Sequence, residues 1–379
     1  MATSATRSDV RVPFVDLAPS HAPVAEAILA DVAGLVSSGA FTNGPQVAAF
    51  EAEFAAYCGV DHCIGLASGL DALRLALLAL GIRPGDEVLV PADTFIATFE
   101  AVSQAGGVPV PVEVSERDYN LDPEAVEAAV SARTGFLLPV HLYGQLSDMR
   151  ALLEVAARHE LRIVEDACQA HGATRDGIRA GASGHAAAFS FYPSKNLGAF
   201  GDAGALVTPD GDLAEQVRAL REHGQRAKYR HELEGYTARL DTIQAIALSH
   251  KLPLLDAWNA ERRAQAGFYS ERLDGVGDLV LPPVAPKSEP VWHLYPIRTA
   301  EPDRLAEFLK ERSIGTSRHY PEPAHLSAAY AHLGHKAGSF PVAEAIAREC
   351  LSLPVFPGMR EEQLEATAAA VEAFFRDGA

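Results

Sequence analysis

Two ionisable side chains, Asp166 and Lys195, each stand at the end of an apolar strand-like run, Arg162 to Glu165 for the first and Ala187 to Phe191 for the second. The carboxyl ends of strands in open α/β sheets are where ligands bind and chemistry is placed. A lysine in the small-residue loop Pro193-Ser194-Lys195-Asn196-Leu197-Gly198 suits imine formation, because partial desolvation lowers its pKa towards that of a nucleophilic amine. A carboxylate on a neighbouring strand end suits a pyridinium nitrogen. Together these are two requirements of pyridoxal 5'-phosphate (PLP) chemistry, a lysine for the imine and an acid that keeps the ring nitrogen protonated as an electron sink. From residue types alone two plainer readings stand beside it: a solvated loop lysine, and an aspartate that caps a helix.

A phosphate would need its own cradle. The turn Ala67-Ser68-Gly69-Leu70-Asp71 runs from a strand into a helix with Leu70, Leu73 and Leu77 in register. Such a turn leaves backbone N–H groups free at the positive end of the helix, although Ser-Gly turns are also common caps. Phe95, in Pro91-Ala92-Asp93-Thr94-Phe95, offers a flat face that could stack on a planar ring or simply fill a core.

Four segments carry a resemblance to a known family: Glu165-Asp166-Ala167-Cys168-Gln169-Ala170-His171-Gly172-Ala173, Phe189 to Gly198, Pro139-Val140-His141-Leu142-Tyr143-Gly144-Gln145 and Arg318-His319-Tyr320-Pro321. In this order they resemble the sugar-nucleotide aminotransferases of the DegT family, which have the aspartate-aminotransferase fold, and the likeness runs from about Phe14 to Leu353. The resemblance implies PLP as cofactor, with Lys195 as the Schiff-base lysine that shuttles a proton and Asp166 on the ring nitrogen. It assigns Gln169 to the ring hydroxyl, Phe95 to stacking, and Ser190 with Ser68, Gly69 and Leu70 to the cofactor phosphate. Leu70 stands where the common wording has threonine, which removes one hydroxyl and resembles the subgroup acting on 3-keto sugars. Gly235-Tyr236-Thr237-Ala238-Arg239-Leu240-Asp241 resembles the segment that reaches into the other subunit's site, so a homodimer with the site at its interface is implied. Thr237 replaces the family's asparagine there and is a shorter donor. Lys228, in the basic stretch Ala227 to His231, resembles a residue near the nucleotide pyrophosphate, and an acidic chain needs such a local positive field. Tyr192, His319 and Tyr320 are candidate sugar contacts. The implied partners are a nucleotide-sugar substrate and an amino-acid donor, with L-glutamate expected.

Composition excludes several classes. The 379 residues carry a formal net charge of -18 with 48% hydrophobic and 22% charged residues, an ordinary globular composition. No clustered Lys/Arg patch of the kind a nucleic-acid binder uses is present. Cys58, Cys63, Cys168 and Cys350 lack the paired spacing of metal ligands and read as reduced, partly buried thiols, and the fourteen histidines show no metal spacing either. The polar stretch Met1 to Asp9 resembles no signal peptide, and no apolar run spans a bilayer, so a cytoplasmic protein is expected.

The elements that must position these residues follow from periodicity. Strands are expected at Cys63–Leu66, Glu87–Pro91, Val108–Val112, Phe136–Val140, Arg162–Glu165, Ala187–Phe191 and Ala205–Thr208. Near-continuous apolar runs separated by helical patterns indicate a mostly parallel sheet covered on both faces. Helices are expected at Val24–Ser38, Gln46–Tyr57, Leu213–Arg226, Thr242–Leu255 with a break at Pro253, and Leu255–Leu273, behind a loose tail over residues 1–12. The fold class is therefore α/β, with a large PLP-binding domain over 1–250, built on seven strands, and a smaller C-terminal α+β domain over 251–379. In the latter, Trp292–Arg298 and Ile314–Tyr320 read as strands and Asp303–Arg312 as a helix.

Three rivals are weighed. A PLP-dependent sugar dehydratase of the same fold replaces the lysine with histidine, whereas Lys195 is present. A non-enzymatic regulatory relative would need none of Asp166, Gln169, Ser190 and Lys195. A nicotinamide-dependent sugar oxidoreductase needs a glycine-rich loop after its first strand, and Gly198 to Gly204 comes too late and precedes a strand.

Overall fold

Seven strands form one sheet in the computed structural model, which describes residues 10–377. They are β1 (His62–Leu66), β2 (Glu87–Pro91), β3 (Val108–Val112), β4 (Thr134–Leu137), β5 (Arg162–Asp166), β6 (Ala186–Ser190) and β7 (Gly204–Thr208), in the spatial order β1-β7-β6-β5-β4-β2-β3. Only β7 runs against the others, pairing antiparallel with both β1 and β6. The expected strands are all present, shifted by one to three residues at their ends.

Alternation along the strands builds two faces. Val164, Ala186, Ala188 and Leu206 join one core with Leu73, Ala76 and Leu77 of α3, whereas Ala187, Phe189, Ala205 and Val207 join another with Phe50 and Phe54 of α2. Here α1 is Ala25–Ser38, α2 is Pro45–Cys58 and α3 is Gly69–Ala79. Burying a phenylalanine such as Phe50 or Phe54 on that second face stabilises the fold by roughly 1.5–3 kcal/mol. A third core gathers Tyr269 on a long helix (Leu255–Arg272) with Tyr295, Ile297, Leu305, Leu309, Leu351, Leu353, Val371 and Phe374. The break at Pro253 is a single 3-10 turn, Leu252–Leu254, after the helix Thr242–Lys251.

Three expectations are corrected. Residues 1–9 of the expected tail lie outside the described residues, but Val12 is fully buried in the third core and bridges to Ile314. The helix expected to reach Arg226 ends at Arg221, because Gly224 takes a positive φ and Gln225–Ala227 then pairs with Arg230–His231 as a hairpin. The stretch Ile314–Tyr320 forms no strand; it makes two isolated bridges, Val12 to Ile314 and Ser317 to Ser352.

Adjacent carboxylates at the end of β5 point to opposite faces. Glu165 is fully buried away from the strand-end loops, where His141 Nε2 meets it at 2.9 Å and the N–H groups of Gly181, Ser183 and Gly184 donate to it at 2.9, 2.8 and 2.6 Å. These donors outweigh the burial that opposes its charge and hold its pKa below the usual value. Because His141 Nδ1 accepts from the Ser147 N–H at 3.2 Å, its Nε2 carries the proton that binds Glu165. An isolated histidine with no spacing signal is thus a buried fastening for β5.

Candidate active site

The carboxyl ends of β1, β2, β5 and β6 lie along one edge of the sheet, and the residues that follow them converge there. At the end of β5, Asp166 is buried, accepts the Thr98 hydroxyl at Oδ2 (3.0 Å) and receives the Cys168 N–H at Oδ1 (3.2 Å). Thr98 is itself linked to Thr94 Oγ1 at 2.9 Å, so the loop after β2 fixes which way the carboxylate faces. Beyond β6, the Lys195 N–H bonds the Tyr192 carbonyl at 2.8 Å, and its side chain runs back to 3.5 Å from His293 Nε2. Burial lowers the Lys195 pKa against the opposing pull of Cys168 and Asp166, which moves it towards the neutral amine that imine chemistry needs.

The turn after β1 is packed from two sides. Ser68 caps α3, accepting the Asp71 N–H at 3.0 Å and donating to Asp71 Oδ2 at 3.1 Å, so its hydroxyl is already engaged. Gly69 and Leu70 are the first helical residues, and the helix itself supplies no acceptor for their N–H groups. A side chain at Gly69 would lie 2.6 Å from Cys168 Sγ and 2.8 Å from Ser190 Cβ, which places the helix terminus directly beside Ser190. Leu70 turns its side chain to the core. Ser190 Oγ accepts the Tyr192 N–H at 3.3 Å, leaving its proton for another acceptor. This donor set, two helix-terminal amides and a hydroxyl, suits an anion.

Gly204, the first residue of β7, pairs with both Leu66 and Ser190 at this edge. A Cβ there would overlap the Ser68 carbonyl group and lie 2.7 Å from Gly69 N. Gly204→Ala is therefore expected to displace the Ser68–Gly69 turn and weaken cofactor binding at least about tenfold, roughly 1.4 kcal/mol, in an absorbance titration of the cofactor-free protein with PLP.

Phe95 is half-exposed, its ring 5.3 Å from that of Tyr320, so it faces the site rather than filling a core. Gln169 is held by Tyr143, whose N–H it accepts at 2.7 Å, and donates to Tyr320 Oη at 3.1 Å. His319 stacks on Phe14 at 5.6 Å and meets Ser352 Oγ at 2.9 Å; burial, with the nearby Lys195 charge, lowers its pKa to about 4. Tyr192 is exposed beside the same loop.

Two predicted residues stand apart. Lys228 sits on the hairpin, 5.4 Å from the Tyr229 ring, and lines a surface cavity of about 430 Å³ that shares no residue with the one beside Lys195. Thr237 is exposed, its hydroxyl 3.3 Å from His223 Nε2, although the next residue, Ala238, accepts the Ala67 N–H at 3.1 Å just before the cradle. Neither touches Lys195 within the chain.

Sequence reading missed Thr98, Tyr143, Asn196 and His293, which bear on the site, and Asp93, whose carboxyl burial pushes up to about 8. Their link to it is spatial: His293 lies 98 positions from Lys195 and Thr98 lies 68 from Asp166. Among the described residues no group of three or more His, Cys, Asp or Glu could hold a metal ion, and no helix is long and apolar enough to cross a membrane.

Comparison with known proteins adds the following. The model of the DegT/DnrJ/EryC1/StrS aminotransferase family matches residues 23–372. A dTDP-3-amino-3,4,6-trideoxy-alpha-D-glucose transaminase of Streptomyces venezuelae is 52% identical over 93% of this chain and 93% of its own. The erythromycin biosynthesis sensory transduction protein EryC1 of Saccharopolyspora erythraea is 49% identical over 96% and 99% respectively. A crystal structure of S. venezuelae DesV in complex with a ketimine intermediate superposes with a TM-score of 0.94 at 51% identity, covering 96% of this chain and 98% of that one.

Proposed function

We propose, from the premise that this chain belongs to the DegT/DnrJ/EryC1/StrS aminotransferase family, that it carries an amino group from L-glutamate to the C3 keto carbon of a dTDP-linked deoxysugar. The chain is a sugar aminotransferase, and its cofactor is PLP. The observation that carries the reading is the convergence of Asp166, Lys195 and the Gly69–Ser190 cradle on one sheet edge.

The residues present fit the cofactor. Gly69 and Leu70 amides with the Ser190 hydroxyl would hold its phosphate, Asp166 would pair with its ring nitrogen, and Phe95 would cover one ring face. PLP, when bound, supplies a ring that withdraws electrons from the carbon at which a proton is removed. Lys195, once its amine is free, takes that proton and returns it on the other side of the reacting nitrogen. Asp166, oriented by Thr98, would set its carboxyl group against the ring nitrogen. Tyr192, His319 and Tyr320 line the approach to Lys195 and orient the sugar. Leu70 and the name of the S. venezuelae relative both favour C3 over C4.

We place the domain boundary near Lys251, with Val12 lent by the N-terminal segment to the smaller core. We also propose a homodimer, in which Lys228 and Thr237, remote from their own Lys195, serve the other subunit's site. The 49% identity to EryC1, named a sensory transduction protein, favours a regulatory reading as the second choice; the retained Asp166 and Lys195 weigh against it. The test is incubation with PLP, L-glutamate and dTDP-linked 3-keto and 4-keto deoxysugars, followed by NMR of the product. A new C–N bond at C3 supports the reading, amination at C4 corrects the position, and no turnover of either sugar overturns it.

A further inference from the structure

A buried chain of amides decides which nitrogen of His293 bears a proton. Asn259 donates from Nδ2 to the His171 carbonyl at 2.8 Å, so its Oδ1 is the acceptor for Asn196 Nδ2, also at 2.8 Å. Asn196 Nδ2 donates a second time, to the Val291 carbonyl at 2.8 Å. Both protons of the Asn196 amide are thereby used. Its Oδ1 faces His293 Nδ1 at 3.3 Å, and an amide oxygen only accepts. His293 Nδ1 therefore carries the proton, and Nε2 presents a lone pair to Lys195 Nζ at 3.5 Å.

We propose that His293 is a positioning residue for Lys195, accepting one of its N–H groups at a lone pair whose direction Asn196 and Asn259 fix. This rests on the reading of Lys195 as the imine-forming amine. The groups facing that amine are Asp166 and Cys168 from the end of β5, His171 behind them, His319 across the site, and Arg262 behind His293. Burial, with the charges of Lys195 and Arg262, keeps His293 well below its ordinary pKa and so neutral. A neutral acceptor steadies the free amine without the strong bias towards ammonium that a carboxylate would impose. The amine keeps its own lone pair for the reacting carbon, and the four-carbon side chain loses freedom it would otherwise spend away from the site.

Two isosteric variants separate positioning from packing. In His293→Gln the side-chain oxygen reaches the place of Nε2, whereas in His293→Asn the shorter amide keeps the bond to Asn196 and cannot reach Lys195. Each is compared with the wild type in two measurements. The first is trace acetylation of Lys195 by acetic anhydride against pH in the cofactor-free protein, read by peptide mass spectrometry. The second is the rate at which glutamate bleaches the visible band of the PLP-loaded protein. His293→Asn is expected to lower the pH midpoint of Lys195 labelling by about half a unit, because a hydrogen bond accepted from the ammonium favours it. It is also expected to slow bleaching about tenfold, while His293→Gln stays within about threefold of the wild type. Equal behaviour of the two variants in both measurements overturns the proposal and leaves the transaminase reading intact. A wild type with no glutamate-sensitive band overturns that reading instead, and the labelling comparison then decides the His293–Lys195 contact by itself. If His293→Asn does not fold, His293→Leu takes its place as the variant without an acceptor.

Discussion

Lys195→Ala is expected to abolish transamination, with a loss of at least about 10⁴-fold, because it removes both the imine-forming amine and the proton carrier. The fold should survive the change. The Lys195 amine makes one long contact, to His293 Nε2 at 3.5 Å, and the loop is held by the backbone, with the Lys195 N–H on Tyr192 and the Ala199 N–H on the Phe191 carbonyl at 2.8 Å each. The cradle at Gly69 and Ser190 is likewise untouched. The variant should therefore still take up PLP, now released by dialysis more readily, but show no visible band that bleaches with glutamate. Absorbance spectra of wild type and variant with PLP, before and after glutamate, make the comparison. A band of wild-type position and glutamate sensitivity in the alanine variant would remove Lys195 from the mechanism altogether.

Asp166→Asn should cost nearly as much while changing almost nothing in shape. An asparagine there can still accept from the Thr98 hydroxyl or the Cys168 N–H through its oxygen, so the strand end keeps most of its contacts. What disappears is the negative charge that holds a proton on the ring nitrogen. A fall in kcat/KM of about 10³-fold, roughly 4 kcal/mol at the transition state, is expected, together with a much smaller change in PLP affinity. Thr98→Val is the companion: the charge remains and only its aim is loosened, so a loss within about tenfold is expected. Single-turnover rates with glutamate, measured beside PLP titrations, separate the two effects. Were Asp166→Asn to lose PLP and keep its rate when saturated, the carboxylate would be a binding group and no more.

The parts of this molecule that could be read from the chain are those whose cause is local. The strands were legible because residues such as Val88, Leu89 and Val90 are apolar on both faces, and covering both faces leaves no polar alternation to confuse with a helix. Asp166 and Lys195 were picked out because each stands at or just beyond the end of such a strand, whereas Gln169 and Ser190 entered only through the family resemblance of the segments around them. The hairpin at Gln225–His231 was hidden, since charged and polar residues run on unbroken in type from the helix ending at Arg221, across the turn at Gly224, into its first strand. Ile314–Tyr320 misled because it runs beside other chain segments but meets only single-residue partners, at Val12 and Ser352. His293 carried no signal at all, because a tautomer set by Asn196 and Asn259 exists only after three distant segments have met.

The fastening of Glu165 has a bearing on how errors in this protein would show themselves. Side chains on a strand alternate, so sliding β5 by one position could bring Glu165 to the place of Asp166 and set Val164 before His141. Both are carboxylates, and a slipped strand would therefore present a plausible acid in that place, a counterfeit site rather than an empty one. The three backbone amides and His141 that grip Glu165 oppose that slip, since Val164 in its place would leave all four buried donors without an acceptor. Fidelity at the chemical edge of the sheet is thus enforced on the face that never meets a ligand.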